Sequence, residues 1–81
     1  MINLEAVTTL SAEKAVARLK DFFGSNGLGL VLAEDTADCL RFDGGGGYVS
    51  ASVCPEKKGA RIRLITQEWE YQARKFISEL P

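Results

Sequence analysis

The sequence predicts an α+β domain in which two amphipathic helices cover one face of an antiparallel sheet. Apolar residues recur at spacings of three and four in two segments, 12–23 and 69–80, and this is the period of a helix. Between these segments lie four short runs of alternating apolar and polar residues, as half-buried strands require. The connections between the runs are too short for parallel crossovers. We therefore expect the order β-α-β-β-β-β-α with an antiparallel meander.

The length and composition are those of one small globular domain. Eighty-one residues support a single hydrophobic core, so one domain over residues 1–81 is expected. Hydrophobic residues make up 46% of the chain and charged residues 26%, which argues against disorder. The net charge of −1 provides no overall attraction to nucleic acid or to an anionic membrane. Neither a signal peptide nor a membrane span is recognisable, and the expected location is the cytoplasm.

The N-terminal third of the chain predicts an edge strand and a helix. Residues 2–7 alternate in polarity, as a short strand does. Ser11 is a favourable N-cap for a helix that begins at Ala12. Gly24 follows Phe23 and can adopt the left-handed conformation that often ends a helix.

Four strands, 28–33, 38–42, 48–54 and 60–65, are expected to form the meander. Alternation of their side chains separates a core face from an outer face. The core face carries Leu28, Leu30, Leu32, Leu40, Phe42, Val49, Ala51, Val53, Ile62 and Leu64. The outer face is mostly polar and carries Val31, Cys39, Arg41, Tyr48, Ser50, Ser52, Cys54, Arg61, Arg63 and Ile65.

The second helix is predicted to begin after Thr66, which can act as its N-cap. Its apolar stripe consists of Trp69, Ala73, Phe76, Ile77 and Leu80. Because Trp69 lies on this stripe, core packing is favoured for the indole. The alternative places the indole at the mouth of a cavity between this helix and the sheet.

The chain offers few groups for catalysis. It has no histidine, which excludes every Ser-His and Cys-His nucleophile, and no catalytic residue is assigned. Cys39 and Cys54 lack CxxC spacing and are interpreted as reduced thiols. A cross-strand disulfide is the alternative, because both thiols belong to neighbouring strands on the same face. A non-enzymatic protein is therefore expected.

Two local clusters resemble ligand sites but have simpler explanations. Glu34, Asp35 and Asp38 lack the ligand number and glycine placement of a calcium loop, and turn formation accounts for them. The glycines at 44–47 are not followed by Lys-Ser or Lys-Thr and lead into a strand, so a hairpin tip is favoured over a phosphate loop. No metal and no cofactor are predicted.

The predicted order of strand, helix, four-strand meander and C-terminal helix resembles a shortened START-like (helix-grip) domain. It also resembles one repeat of the TATA-box-binding-protein fold. The resemblance covers most of the chain and is one of topology. A helix-grip domain implies a curved sheet that wraps the last helix and leaves an apolar ligand cavity.

We expect a homodimeric, non-enzymatic module that binds a small apolar or amphipathic ligand or a protein partner. The small predicted core and the free sheet edges favour self-association. The alternative function is binding of an anion or nucleic acid to the outer sheet face through Arg41, Arg61 and Arg63, with nucleic acid the less favoured partner. The candidate binding residues are Trp69, Phe42, Tyr48, Arg41, Arg61 and Arg63.

Overall fold

The computed structural model describes residues 1–81 and confirms the predicted element order. The strands are β1 (Ile2–Thr8), β2 (Val31–Asp35), β3 (Cys39–Gly44), β4 (Gly47–Glu56) and β5 (Gly59–Gln67), and the helices are α1 (Ala12–Phe23) and α2 (Glu70–Ser78). The sheet has the order β1-β5-β4-β3-β2, and every neighbouring pair is antiparallel. Neither helix has the length and apolar character needed to cross a membrane. The α+β class and the antiparallel meander are thus confirmed.

Both helices lie on the same face of the sheet. Helix α1 packs against β4 and β5, and α2 packs against β5 and β1. The Ser11 hydroxyl accepts a hydrogen bond of 3.2 Å from the Lys14 amide, as expected of an N-cap. Gly24 ends α1, but its φ of −79° is not the predicted left-handed conformation.

The core is a continuous layer between the helices and the sheet. Phe23 lies at its centre, with ring centroids 4.9 Å from Phe22 and 5.6 Å from both Phe42 and Phe76. The buried apolar side chains are Ala15, Leu19, Phe23, Leu30, Leu40, Phe42, Val49, Ala51, Val53, Ala60, Ile62, Leu64, Ala73 and Phe76. Every core-face residue predicted for the last three strands is in this set.

The predicted start of the first meander strand is wrong. Residues 24–29 continue from α1 as a turn, in which the Leu28 amide donates to the Phe22 carbonyl at 2.9 Å. The Leu30 amide donates to the Phe23 carbonyl at 3.0 Å, and β2 begins only at Val31. Leu28 is therefore not a sheet residue, because the amides of this turn bind the free carbonyls at the C-terminal end of α1.

The predicted capping role of Thr66 is also wrong. Strand β5 continues to Gln67, which pairs with Tyr48, so Thr66 is a sheet residue. Its side chain is fully buried, and its hydroxyl donates a hydrogen bond of 2.7 Å to the Tyr48 carbonyl. Trp69 occupies the N-cap position of α2 without a side-chain cap.

The glycine run forms a tight hairpin turn between β3 and β4, as predicted. Gly44 pairs with Gly47, which leaves Gly45 and Gly46 as the two turn residues. Their φ values of +59° and +80° match a type I′ turn, which requires positive φ at both positions. These two glycines therefore connect the paired ends of β3 and β4 directly.

Candidate functional site

The structure divides the six predicted binding residues between the two faces of the sheet. Phe42 and Trp69 lie on the helical side. The other four lie on the outer face: Arg41, Tyr48, Arg61 and Arg63. The sheet separates the two groups, so they do not form one site.

Phe42 and Trp69 belong to the packed interior. Phe42 is fully buried against Phe23. Trp69 is half-buried against the core, and its Nε1 donates a hydrogen bond of 2.9 Å to the Gly44 carbonyl. None of the four main surface grooves includes Trp69. The indole thus packs in the way the sequence favoured, and the space between α2 and the sheet is filled by side chains.

On the outer face, Glu5 of β1 binds two of the three arginines. Arg61 Nη1 donates to Glu5 Oε2, and Arg63 Nη2 donates to Glu5 Oε1 at 3.2 Å. Arg61 Nη2 also donates to Glu56 Oε1 at 3.2 Å. The hydrogen bond from Arg61, supported by the one from Arg63, lowers the pKa of Glu5, and the bond to Glu5 raises the pKa of Arg61. These pairs join β1, β5 and the end of β4.

The third arginine is also bound within the chain. Arg41 Nε donates to Asp43 Oδ1 at 2.9 Å, and the guanidinium carbon lies 4.4 Å from the centroid of the Tyr48 ring. This distance is within the range of a cation–π interaction. All three outer-face arginines therefore already have an anionic partner on the protein surface.

Both cysteines are free thiols. Cys39 lies opposite Ser52 in the sheet, so Cys54 is its diagonal neighbour. Diagonal residues are about 7–8 Å apart, beyond the usual reach of a disulfide. Burial, reinforced by the negative charge of Asp38, raises the pKa of the Cys39 thiol. This thiol is therefore a poorer nucleophile than an ordinary cysteine.

The acidic residues near the first hairpin do not converge. Asp35 forms a salt bridge of 2.9 Å with Lys20 of α1. No cluster of three or more potential metal-ligating side chains is present. The salt bridge instead connects the edge strand β2 to α1.

A groove that the sequence analysis did not identify lies between α1 and α2. Its volume is about 480 Å³, within the range of small-molecule sites. It is open to solvent along its length and is bounded by the second half of α1, the turn after it and one flank of α2. The residues that line it are Arg18, Asp21, Phe22, Gly27, Leu28, Tyr71, Gln72, Lys75, Phe76 and Glu79.

The floor of this interhelical groove is aromatic. The rings of Phe22 and Phe76 meet edge to face, with centroids 5.4 Å apart. Phe76 is almost fully buried, whereas Phe22 is half-buried. Leu28 and Tyr71 are 38% and 74% exposed, respectively. The groove thus offers apolar surface to a solute without any rearrangement of the core.

The rim of the groove carries four charged side chains. Arg18 and Asp21 belong to α1, Lys75 belongs to α2, and Glu79 is the C-cap of α2. None of them forms a salt bridge. This contrasts with the outer face of the sheet, where the arginines are paired.

A second groove, of about 610 Å³, lies between α1 and β2. Its larger apolar side chains are buried, as are Leu30 and Phe42, or lie on the edge strand, as do Val31 and Leu32, and α1 adds only the small side chain of Ala17. Its one cation, Lys20, is paired with Asp35. The interhelical groove therefore combines accessible aromatic surface and unpaired charge in a way that the larger groove does not.

Three sequence features point to the interhelical groove in retrospect. Phe22 and Phe23 are adjacent on a helix, so their side chains cannot both point to the centre of the core. Tyr71 lies off the apolar stripe of α2, and Leu28 follows the break after α1.

Searches of protein-family models and of curated proteins find no match to this chain.

Proposed function

We propose that the protein is a non-enzymatic binding module that holds an amphipathic small molecule in the interhelical groove. The observation that carries this proposal is the accessible aromatic surface of Phe22, which packs edge to face on the almost fully buried Phe76 at the floor of the groove. Burial of apolar ligand surface on such a floor contributes about 25 cal/mol per Å² before the cost of immobilising the ligand. A chain of several methylene groups is enough for measurable affinity.

Beside the carboxylates of Asp21 and Glu79, the rim has donors that suit a head group with oxygen acceptors. Arg18 presents a planar set of N–H donors, Lys75 presents an ammonium and Gln72 adds an amide. Because Arg18 and Lys75 have no salt-bridge partner, a carboxylate can bind them without displacing a protein carboxylate. The proposed ligand class is therefore a fatty acid or a similar amphiphile.

We further propose that the fold is related to a helix-grip domain or to a TATA-box-binding-protein repeat. In a helix-grip domain the ligand lies between the last helix and the sheet. Here Phe42 and Trp69 fill that space. The proposed ligand therefore lies between the two helices, on the solvent side of the core. The cytoplasm remains the proposed location, and the two free thiols are compatible with it.

Binding of nucleic acid to the outer sheet face has less support. A phosphate there would compete with Glu5, Glu56 and Asp43 for the arginines. Such binding would weaken steeply with added salt. Titration of fluorescent DNA and RNA oligonucleotides at low salt tests this alternative, and salt-sensitive binding that is lost in Arg63→Gln would favour it over the groove.

Isothermal titration with decanoate, kept below its micelle-forming concentration, tests the groove. We expect Leu28→Ser to weaken decanoate binding about tenfold, because about 1.5 kcal/mol of apolar burial is lost. Leu32→Ser is the matched control, since Leu32 is 37% exposed and lies outside the groove, whereas Leu28 is 38% exposed. Absence of decanoate binding, or an equal loss in both variants, would contradict the proposal.

The head-group assignment has its own test. Arg18→Gln should weaken binding of decanoate but not of decyltrimethylammonium, which carries the same chain length and the opposite charge. Lys14→Gln, on the same helix but outside the groove, should change neither. Equal binding of the two amphiphiles to the unmodified protein would show that the rim does not select the head group.

A further inference from the structure

The free edge of β1 is the part of the sheet best suited to pair with another strand. Strand β1 contacts only β5, so the backbone groups on its other side have no partner in the sheet. It is seven residues long and regular, without proline, lysine or a bulge. Proline, lysine and bulges usually protect edge strands from association, so β1 lacks this protection. Its core-face residues Ile2, Leu4 and Ala6 are only half-buried.

We propose that a second copy of this chain pairs with β1 in antiparallel orientation, so that two protomers share one continuous ten-stranded sheet. A two-fold axis normal to the sheet keeps each side chain on its own face. Only residues on the same face can then lie opposite each other, so the axis must be level with one residue, which lies opposite its own symmetry copy. The side chains of β1 then decide between the few possible registers.

Charge and polarity select the register in which the two-fold axis is level with Leu4, so that Leu4 lies opposite its own copy. An axis through Glu5 would oppose two carboxylates, and an axis through Ala6 would place Glu5 against Val7. An axis through Asn3 would place Met1 against Glu5. With Leu4 on the axis, the opposed pairs are Leu4 with Leu4, Ile2 with Ala6, Asn3 with Glu5 and Met1 with Val7. Each of these pairs is chemically compatible.

The exposed apolar side chains support the same register. Met1, which directly precedes β1, is 77% exposed, and Val7 is 58% exposed on the outer face of β1. In one protomer they are at opposite ends of the strand and have no apolar neighbour across the free edge. In the Leu4-centred pair, Met1 of each copy lies opposite Val7 of the other. The pair thus covers two of the large exposed hydrophobic side chains, Met1 and Val7, with each other.

The helices also fit this arrangement. Helix α2 contacts both β1 and β5, so its axis lies roughly midway between these strands. With strands about 4.8 Å apart, the α2 axes of two paired protomers would be separated by about 10 Å. Packed helices are usually separated by 8–10 Å. The two α2 helices would therefore contact each other above the new strand pair.

The flank of α2 that would form this contact carries an unpaired charge of each sign. Tyr71, Lys75 and Glu79 line the groove on one flank, and helical periodicity places Glu70 and Arg74 on the other. Neither Glu70 nor Arg74 forms a salt bridge within the protomer. About a two-fold axis the helices are antiparallel, and an axis level with Gln72 places Glu70 of each copy opposite Arg74 of the other. The groove remains open on the opposite flank.

The second sheet edge, β2, is less suited to this role. It contains a bulge between Leu32 and Glu34, and its last two residues, Glu34 and Asp35, are acidic. Antiparallel self-pairing about Ala33 would place Leu32 against Glu34 and Val31 against Asp35. Bulges and charges are features that protect an edge strand from pairing. We therefore assign self-association to β1.

Sedimentation velocity over a range of protein concentrations tests the proposal. We expect a reversible monomer–dimer equilibrium, and Val7→Lys should raise its dissociation constant at least tenfold, because the substitution acts twice about the axis. Val31→Lys is the matched control, since Val31 is 67% exposed on the outer face of the other edge strand. A protein that remains monomeric at millimolar concentration, or a loss of dimer in Val31→Lys alone, would overturn the proposal.

A charge exchange on α2 tests the register. Glu70→Arg and Arg74→Glu should each weaken the dimer about fivefold, and the double variant should recover most of the loss. Additive losses in the double variant would contradict the facing of Glu70 and Arg74.

Amide hydrogen exchange tests the assignment to β1 without any variant. In the unmodified protein, protection of β1 amides should rise with protein concentration. Protection that rises in β2 instead would refute the assignment to β1.

Discussion

The indole Nε1 of Trp69 donates a hydrogen bond of 2.9 Å to the carbonyl oxygen of Gly44, and this bond joins the start of α2 to the β3–β4 turn. The same indole packs over the turn itself. A Cβ atom built on Gly45 would lie 2.7 Å from Trp69 Cζ2. Trp69 thus positions α2, and with it one wall of the interhelical groove, relative to a hairpin that is distant in sequence.

Replacement of Trp69 should reveal separate contributions from its ring and its N–H group. Trp69→Phe should lower the free energy of unfolding by about 1 kcal/mol, because the Gly44 carbonyl loses its donor. Trp69→Ala should lower it by about 3 kcal/mol, because the packing is lost as well. Urea denaturation measures both values. Tyr71→Ala, which removes a largely exposed ring two residues away, should change the stability little, and a near-neutral Trp69→Ala would contradict this account.

The glycines of the β3–β4 turn offer a matched pair for the contact with Trp69. Gly45 and Gly46 both have positive φ, so alanine costs about 1 kcal/mol of backbone strain at either position. At Gly46 a Cβ atom meets nothing within 4 Å, whereas at Gly45 it collides with the indole. In thermal unfolding Gly45→Ala should therefore be clearly less stable than Gly46→Ala. Equal stability of the two variants would show that the indole moves freely.

Glu68 is the one non-glycine residue with positive φ, at 76°, and it joins β5 to α2. Glycine adopts this conformation without strain, so Glu68→Gly should raise the stability by about 0.5–1 kcal/mol. The control is Glu79→Gly, at a helix end where φ is −96°. That substitution should lower the stability, because the added backbone entropy is not offset by relief of strain. A destabilising Glu68→Gly would indicate that the carboxylate makes a contact of its own.

The outer-face pairs predict a dependence of stability on pH. Hydrogen bonds from Arg61 and Arg63 lower the pKa of Glu5 below its ordinary value of 4.5. A carboxylate with a lowered folded-state pKa stabilises the fold above the unfolded pKa, and this contribution is lost as the pH falls through the folded pKa. Urea midpoints of the unmodified protein and Glu5→Gln should therefore differ at neutral pH and converge in acid.

Two further measurements constrain the pH prediction. Added salt should reduce the difference at neutral pH, because the pairs are partly exposed to solvent. Glu34→Gln removes an exposed glutamate that forms no salt bridge, and it should leave the pH profile unchanged. A Glu5→Gln difference that persists in acid would show that packing, rather than charge, accounts for the effect.

Local sequence patterns were sufficient to predict the elements of this fold. Ser11, the apolar period of α1 and the alternation of the meander each depend on near neighbours, and the structure confirms them. The errors occur where tertiary contacts decide. Thr66 has a good capping side chain, but pairing of Tyr48 with Gln67 extends β5 past it. Leu28 fits a strand pattern, but the C-terminal carbonyls of α1 bind the amides of the turn.

The candidate site could not be predicted in the same way. Each wall of the interhelical groove comes from a different segment, and the distance between α1 and α2 depends on how both pack on the sheet. The apolar period of residues 12–23 includes Phe22, but it could not show that this ring remains accessible from the side. Likewise the outer-face arginines were identified, but their pairing with Glu5 depends on β1 lying next to β5.

Chemical-shift mapping tests the central claim most directly. Decanoate titrated into the ¹⁵N-labelled protein should shift the amide resonances of the second half of α1, the turn through Leu28 and the groove flank of α2. The resonances of Tyr48, Ser50 and Ser52 on the outer sheet face should remain unchanged. Two results would contradict the assignment of the interhelical groove as the binding site. One is a set of shifts confined to that outer face, and the other is the absence of any shift up to the micelle-forming concentration of decanoate.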